Sequence, residues 1–118
     1  MWTIRFYKTP SGRSPVKEFI RGLSPEKQAA IIEEIDLLEE YGIYLEMPHA
    51  RHIGDRLWEL RARAEDGLVR VLYFSTSKEN KTFVLLHGIE KDQRKIKPND
   101  RKTAIRRMRE YERREKNE

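Results

Sequence analysis

Two short apolar segments that each carry arginine constrain this chain most. Arg56-Leu57-Trp58-Glu59-Leu60-Arg61-Ala62-Arg63 and Leu68-Val69-Arg70-Val71-Leu72-Tyr73-Phe74 are rich in aromatic and branched residues and flank Glu65-Asp66-Gly67. The composition predicts two strands joined by a tight turn, with glycine supplying the positive φ that such turns need. Alternation places Leu57, Glu59, Arg61 and Arg63 on one face of the first strand and Trp58, Leu60 and Ala62 on the other. Leu68, Arg70, Leu72 and Phe74 share a face on the second. A two-residue turn at Asp66-Gly67 opposes Arg63 to Arg70, whereas a four-residue loop opposes Arg61 to Arg70. Either register collects arginines of both strands on one face, where directly opposed like charges are destabilising. A bound anion would offset that repulsion. So would arginines splayed into water or paired with Glu59, with no ligand at all.

The remainder of the chain frames this hairpin. Trp2 to Tyr7 alternates, with Trp2, Ile4 and Phe6 on one face, and is expected to be a strand ended by Thr9-Pro10-Ser11-Gly12. Ser14-Pro15 and Ser24-Pro25 are two cap-proline starts. The first precedes Val16, Phe19, Ile20 and Leu23 at helical spacing, the second Ile31, Ile32, Ile35 and Leu38, and Gly42 ends the second helix. So short a link predicts a helical hairpin lying on the sheet. Residues 43–55 read as an irregular connection. A further strand is expected over Thr82 to Ile89, and a last helix after Pro98-Asn99-Asp100, with Ala104, Ile105, Met108 and Tyr111 inward. The expected fold is α+β: one domain over residues 1–118 in the order β-α-α-β-β-β-α, with a mostly antiparallel four-stranded sheet, an N-terminal helical hairpin and a C-terminal helix.

Charge narrows the partners. Lysine and arginine number 25 against 20 acidic residues, giving a net charge of +5 and a pI near 9.6, which favours nucleic acid, a ribosome or an acidic protein. No apolar run is long enough to cross a membrane, and the N-terminal residues alternate rather than forming a signal core, so a cytoplasmic protein without membrane association is expected. With no cysteine, disulfides and thiolate metal sites are excluded. There is no His-Glu-x-x-His pair, and His49 and His52 lack an evident third ligand, so no metal and no cofactor is expected. A glycine-rich phosphate loop and a nucleophile elbow are also missing.

Leu57-Trp58-Glu59-Leu60-Arg61, Arg70-Val71-Leu72-Tyr73-Phe74, Leu85-Leu86-His87-Gly88-Ile89 and the basic stretch Lys91 to Pro98 together resemble the RelE/ParE toxin superfamily, and within it the phage-derived HigB-like branch. The resemblance spans the chain and is most specific in the two strand motifs. It implies a type II toxin: a ribosome-dependent endoribonuclease that cleaves mRNA and is neutralised by a helix-turn-helix antitoxin from an adjacent gene, as a homodimer or a toxin–antitoxin heterotetramer. Arg70 matches the arginine that contacts the scissile phosphate in that family. Arg51 matches a position usually held by lysine, and Lys91 and Lys95 match the basic segment after the last strand. Three features depart from the pattern. Arg56 stands where glycine is common, the usual lysine pair is broken into Lys91-Asp92, and the stretch to Pro98 is one residue longer.

Attack of a ribose 2′-hydroxyl on the adjacent phosphate needs a base, an acid for the leaving 5′-oxygen, and positive charge around the phosphorane. Arginine's planar fork suits a phosphate, so Arg70 and Arg61 are assigned to phosphate stabilisation. Arg51, Arg56, Arg63, Lys91 and Lys95 are assigned to contacts along the RNA backbone, with Lys91 counted among the catalytic group. Glu59 is the candidate base and His87 the candidate acid.

Each assignment has a structural counterpart. His87 shares an apolar strand with Phe83, Leu85 and Ile89, as a hydrogen-bonded core histidine would, and Glu59 can pair with Arg61 or Arg70. The arginines of the last helix can be a solvated face braced by Glu110, Glu112 and Glu115. Tyr73 falls opposite Arg70's face and is placed in the core. Two alternative functions stand beside cleavage: a ParE-like toxin that inhibits DNA gyrase without a nuclease site, and a basic nucleic-acid-binding module held by phosphate contacts.

Overall fold

The computed structural model describes residues 1–76, 81–90 and 95–116. Its elements are β1 (Thr3–Phe6), α1 (Pro15–Arg21), α2 (Pro25–Tyr41), a 3-10 turn (Gly42–Tyr44), β2 (Ala50–Gly54), β3 (Leu57–Ala64), β4 (Gly67–Ser75), β5 (Thr82–Ile89) and α3 (Pro98–Lys116). They form an α+β fold around one mixed sheet in the order β1-β5-β4-β3-β2, with β1 parallel to β5 and the other neighbours antiparallel.

The sheet has five strands where four were expected. The additional strand, β2, lies inside the stretch read as irregular. Its five residues carry exposed Arg51 and His52, and its ladder shifts register between His52 and Gly54, so the sequence offers neither an apolar run nor clean alternation. A two-residue turn at Asp55-Arg56, both at positive φ, joins it to β3.

The helices cover the two faces separately. α1 and α2 pack over Leu60, Ala62, Val69, Val71, Tyr73, Phe83 and Leu85, and α3 sets Ala104 and Met108 over Leu57, Leu72, Phe74, Val84, Leu86 and Ile89. The cap-proline pairs start both N-terminal helices, but only Ser24 caps with its side chain, accepting from the Lys27 N–H at 3.2 Å. Tyr73 lies in the α1/α2 core as its parity required, and burial pushes its hydroxyl above the ordinary tyrosine range. Among the described residues no helix is long and apolar enough to cross a membrane.

Two details of register place the charged side chains. Ala64 pairs with Gly67, so Glu65-Asp66 forms the turn and Arg61 faces Arg70, while Arg63 faces Leu68. On β5 the ladder slips between Leu72/His87 and Tyr73/Leu85. That bulge reverses alternation, because two successive residues oppose one partner interval. His87 therefore lies on the α3 side with Ile89 and not beside Phe83 and Leu85, where unbroken alternation put it.

Beyond the bulge, Gly88 turns to the other face, where a Cβ would stand 2.2 Å from the Phe19 ring. Gly88→Ala should cost about 1–3 kcal/mol through overpacking. The measurement is urea unfolding, with a lower midpoint and unchanged slope expected. A midpoint equal to wild type would show that α1 does not press on β5 here.

Candidate functional site

Strand pairing assembles a charged cluster on the α3 side of the sheet. Arg51 of β2 pairs with Glu59 of β3, Arg61 follows Glu59 two residues along the same face, and Arg70 faces Arg61 from β4. All three guanidinium groups reach the Glu59 carboxylate: Arg51 Nη2 at 3.4 Å, Arg70 Nη1 at 3.5 Å, and Arg61 Nη1 in a shorter hydrogen bond. Glu59 is 0% exposed and Arg70 1% exposed, so their charges compensate each other in a site screened from water. Among the described residues, three guanidinium groups share this one carboxylate. Arg61 is partly exposed and Arg51, at 43%, leads outward.

Arg51 also lines a cleft of about 460 Å³ with His52, Ile53, Lys95, Ile96 and Arg101. The cleft runs between β2 and the chain entering α3. Arg101 is fixed there, donating from Nη1 to the Ile53 carbonyl at 2.8 Å and approaching Asp55 at 3.3 Å. The sequence assigned Arg101 only to a basic helix face. Its place in the first turn after Pro98 is the signal that sets it apart, since that turn returns to the sheet edge.

His87 occupies a separate site. Its Nε2 lies 2.7 Å from Asp100 Oδ1 and its Nδ1 3.4 Å from Arg107 Nη1. A guanidinium has donors only, so Nδ1 accepts and the ring proton sits on Nε2 against Asp100. Arg107 also donates to the Leu86 carbonyl at 2.8 Å and lies over the Tyr7 ring. Burial, and then the neighbouring Arg106, hold its pKa below the usual arginine value. Sequence reasoning missed both Asp100 and Arg107 as partners of His87, because the bulge that turns His87 toward α3 leaves no mark in residue spacing.

The remaining sequence-predicted residues are dispersed. Arg63 is exposed, on the same strand face but opposite Leu68. Arg56, at φ +65°, bridges both carboxylate oxygens of Glu112 at 3.0 and 2.8 Å and lies over the Phe74 ring, so it clamps the β2–β3 turn to α3. Lys91 lies outside the described residues. Among the described residues, no three His, Asp or Glu side chains are grouped as a metal ion would require.

Comparison with protein families gives a match over residues 18–109 to the family described as phage-derived protein Gp49-like. Comparison with curated proteins gives no match.

The cluster predicts how it fails. Glu59→Gln keeps the shape and removes the negative charge, leaving three arginines converging on a neutral amide. Breaking a buried pair in this way costs about 3–5 kcal/mol. Thermal unfolding should show a large fall in Tm, partly restored by added phosphate. A Tm unchanged from wild type would show that Glu59 is not the counterion of this cluster.

Proposed function

The chain belongs to the phage-derived Gp49-like family, a RelE/HigB-like toxin family, and on that premise we propose a HigB-like endoribonuclease that cleaves mRNA on the ribosome. One observation carries the reading: the guanidinium groups of Arg51, Arg61 and Arg70, from three adjacent strands, converge on a single carboxylate. Such a convergence suits a phosphorane, whose added negative charge develops in the transition state.

In this mechanism the 2′-oxygen attacks phosphorus and the bond from phosphorus to the 5′-oxygen breaks. The products are a 2′,3′-cyclic phosphate and a free 5′-hydroxyl. Arg61 and Arg70 stabilise the phosphorane, while Arg51, Lys91 and Lys95 hold the strand. The phosphate displaces Glu59 from part of its arginine shell, and the released carboxylate takes the 2′-hydroxyl proton. His87 supplies a proton to the 5′-oxygen as an imidazolium and returns to neutral imidazole. This requires it to take up a second proton at Nδ1, release Asp100 and Arg107, and turn from its separate site toward the cluster. Positioning by the ribosome supplies much of the alignment that the free protein lacks. An antitoxin that covers the cationic surface would neutralise charge and exclude RNA together.

A second reading draws on burial. Glu59 and Arg70 are inaccessible and both His87 nitrogens are engaged, as expected of a toxin that binds a target such as DNA gyrase without cutting RNA.

Cleavage separates the two. On free RNA it should be slow, persist in excess EDTA and leave a 2′,3′-cyclic end; on translating ribosomes it should be fast. Methylation of the 2′-hydroxyl at the cut position should stop it. Arg70→Ala should lower the rate about 100-fold or more and abolish growth arrest, and Arg70→Lys should lose much of the activity, since a point charge cannot reproduce the fork. Cutting of the methylated RNA would overturn the mechanism. Gyrase inhibition without cleavage would establish the second reading.

A further inference from the structure

We infer that the cleft between β2 and the start of α3 is a subsite for a single nucleotide, in which Arg51, Lys95 and Arg101 hold one backbone phosphate while Ile53 and Ile96 pack on the attached base. This inference rests on the RNA-directed reading above and extends it to a defined pocket and to Arg101.

Composition is the first support. Among the described residues the lining contains two arginines, one lysine and no carboxylate, and the carboxylates that pair with Arg51 and Arg101, Glu59 and Asp55, lie outside the wall. At about 460 Å³ it falls in the range of sites that hold small molecules, and it fits one nucleotide rather than a folded RNA element. Its two isoleucines, both half-buried, offer an apolar surface beside the charges.

Preorganisation is the second. The Ile53 carbonyl fixes Arg101 through Nη1, and the same tether holds the β2 edge to α3. Its outer neighbour Asp55 is largely exposed, so that contact is weak in water. A guanidinium has five donors, and those not committed to Ile53 and Asp55 can meet phosphate oxygens without the side chain first losing its freedom.

Connection is the third. Arg51 belongs to the cleft and also reaches Glu59, so the cleft and the buried cluster share one side chain. A nucleotide seated in the cleft therefore places the next phosphate of the strand toward Arg61 and Arg70. A phosphate that draws Arg51 outward also removes one of the three cations from Glu59. Occupancy of the cleft thus loosens the carboxylate that must be displaced at the cluster.

The test uses the full chain, without ribosomes, titrated with uridine 3′-monophosphate, adenosine 3′-monophosphate and inorganic phosphate, followed by NMR shifts and calorimetry. One nucleotide should bind per chain, with shifts centred on residues 51–53 and 95–101, and about tenfold more tightly than phosphate alone. Lys95 is exposed and Lys95→Ala should leave Tm unchanged while weakening nucleotide and phosphate alike by about tenfold. Ile96→Ala should weaken the nucleotides and leave phosphate unaffected. Arg101→Lys, which retains a cation, should bind more tightly than Arg101→Ala. Equal affinity for phosphate and nucleotide, or binding indifferent to Lys95→Ala and Arg101→Ala, would overturn the subsite. Because these titrations require no cleavage, a chain that binds nucleotide here and never cuts RNA keeps the subsite and loses the nuclease reading.

Discussion

A carboxylate removed from water is tolerable only where cations replace its hydration, and Glu59 is surrounded by guanidinium groups from three positions on two neighbouring strands and its own. The dependence runs both ways. Arg61 and Arg70 face each other across β3 and β4, a pairing that repels unless an anion lies between them. Glu59 is that anion in the resting protein. The cluster holds a carboxylate in place, and a more highly charged oxyanion at the same position would draw more strongly on the same three guanidinium groups. Stability and the proposed cleavage make opposite demands on this residue: the first keeps Glu59 seated, and the second would need it to yield.

Secondary contacts hold the rim of the site in place. The β2–β3 turn places Arg56 in the left-handed region, a conformation costing on the order of 1 kcal/mol for a residue other than glycine. The fork from Arg56 to Glu112 and the tether from Arg101 to the Ile53 carbonyl fasten the same turn to α3 at two points. A glycine at position 56 would relax the backbone and lose the clamp. Exposed pairs are individually weak, so the pair of tethers acts mainly by fixing geometry, keeping Arg51 between cleft and cluster.

Much of this was legible in the residues. Alternation in β3 and β4 placed Glu59, Arg61 and Arg70 on one face and Tyr73 on the other. Helical spacing gave the inward residues of the three helices except Ile32 of α2, which is 49% exposed because it lies at the edge of the stripe. What escaped was set by pairing rather than by pattern. β2 is short, polar and at an edge, so neither hydrophobicity nor strict alternation revealed it, and the sheet was expected to have four strands. Of the two registers the sequence left open, pairing selected the one that opposes Arg61 to Arg70, with the turn centred on Glu65-Asp66. The bulge on β5 carried His87 to Asp100 and Arg107, since one inserted residue reverses every side chain beyond it. The bridge from Arg56 to Glu112 of α3 was also not legible, since the two residues meet only through tertiary packing.

In the proposed mechanism the strand cluster, and not only the open cleft, receives the scissile phosphate. Side-chain ¹⁵N NMR of the arginines, during titration with a short RNA methylated at its 2′-hydroxyls so that it binds without being cut, tests this directly. Phosphate seated in the cluster should shift the guanidinium signals of Arg51, Arg61 and Arg70, together with the Glu59 carboxylate as its partners turn to phosphate. Shifts confined to Arg51 and Arg101, with Arg61, Arg70 and Glu59 unmoved at saturation, would contradict it.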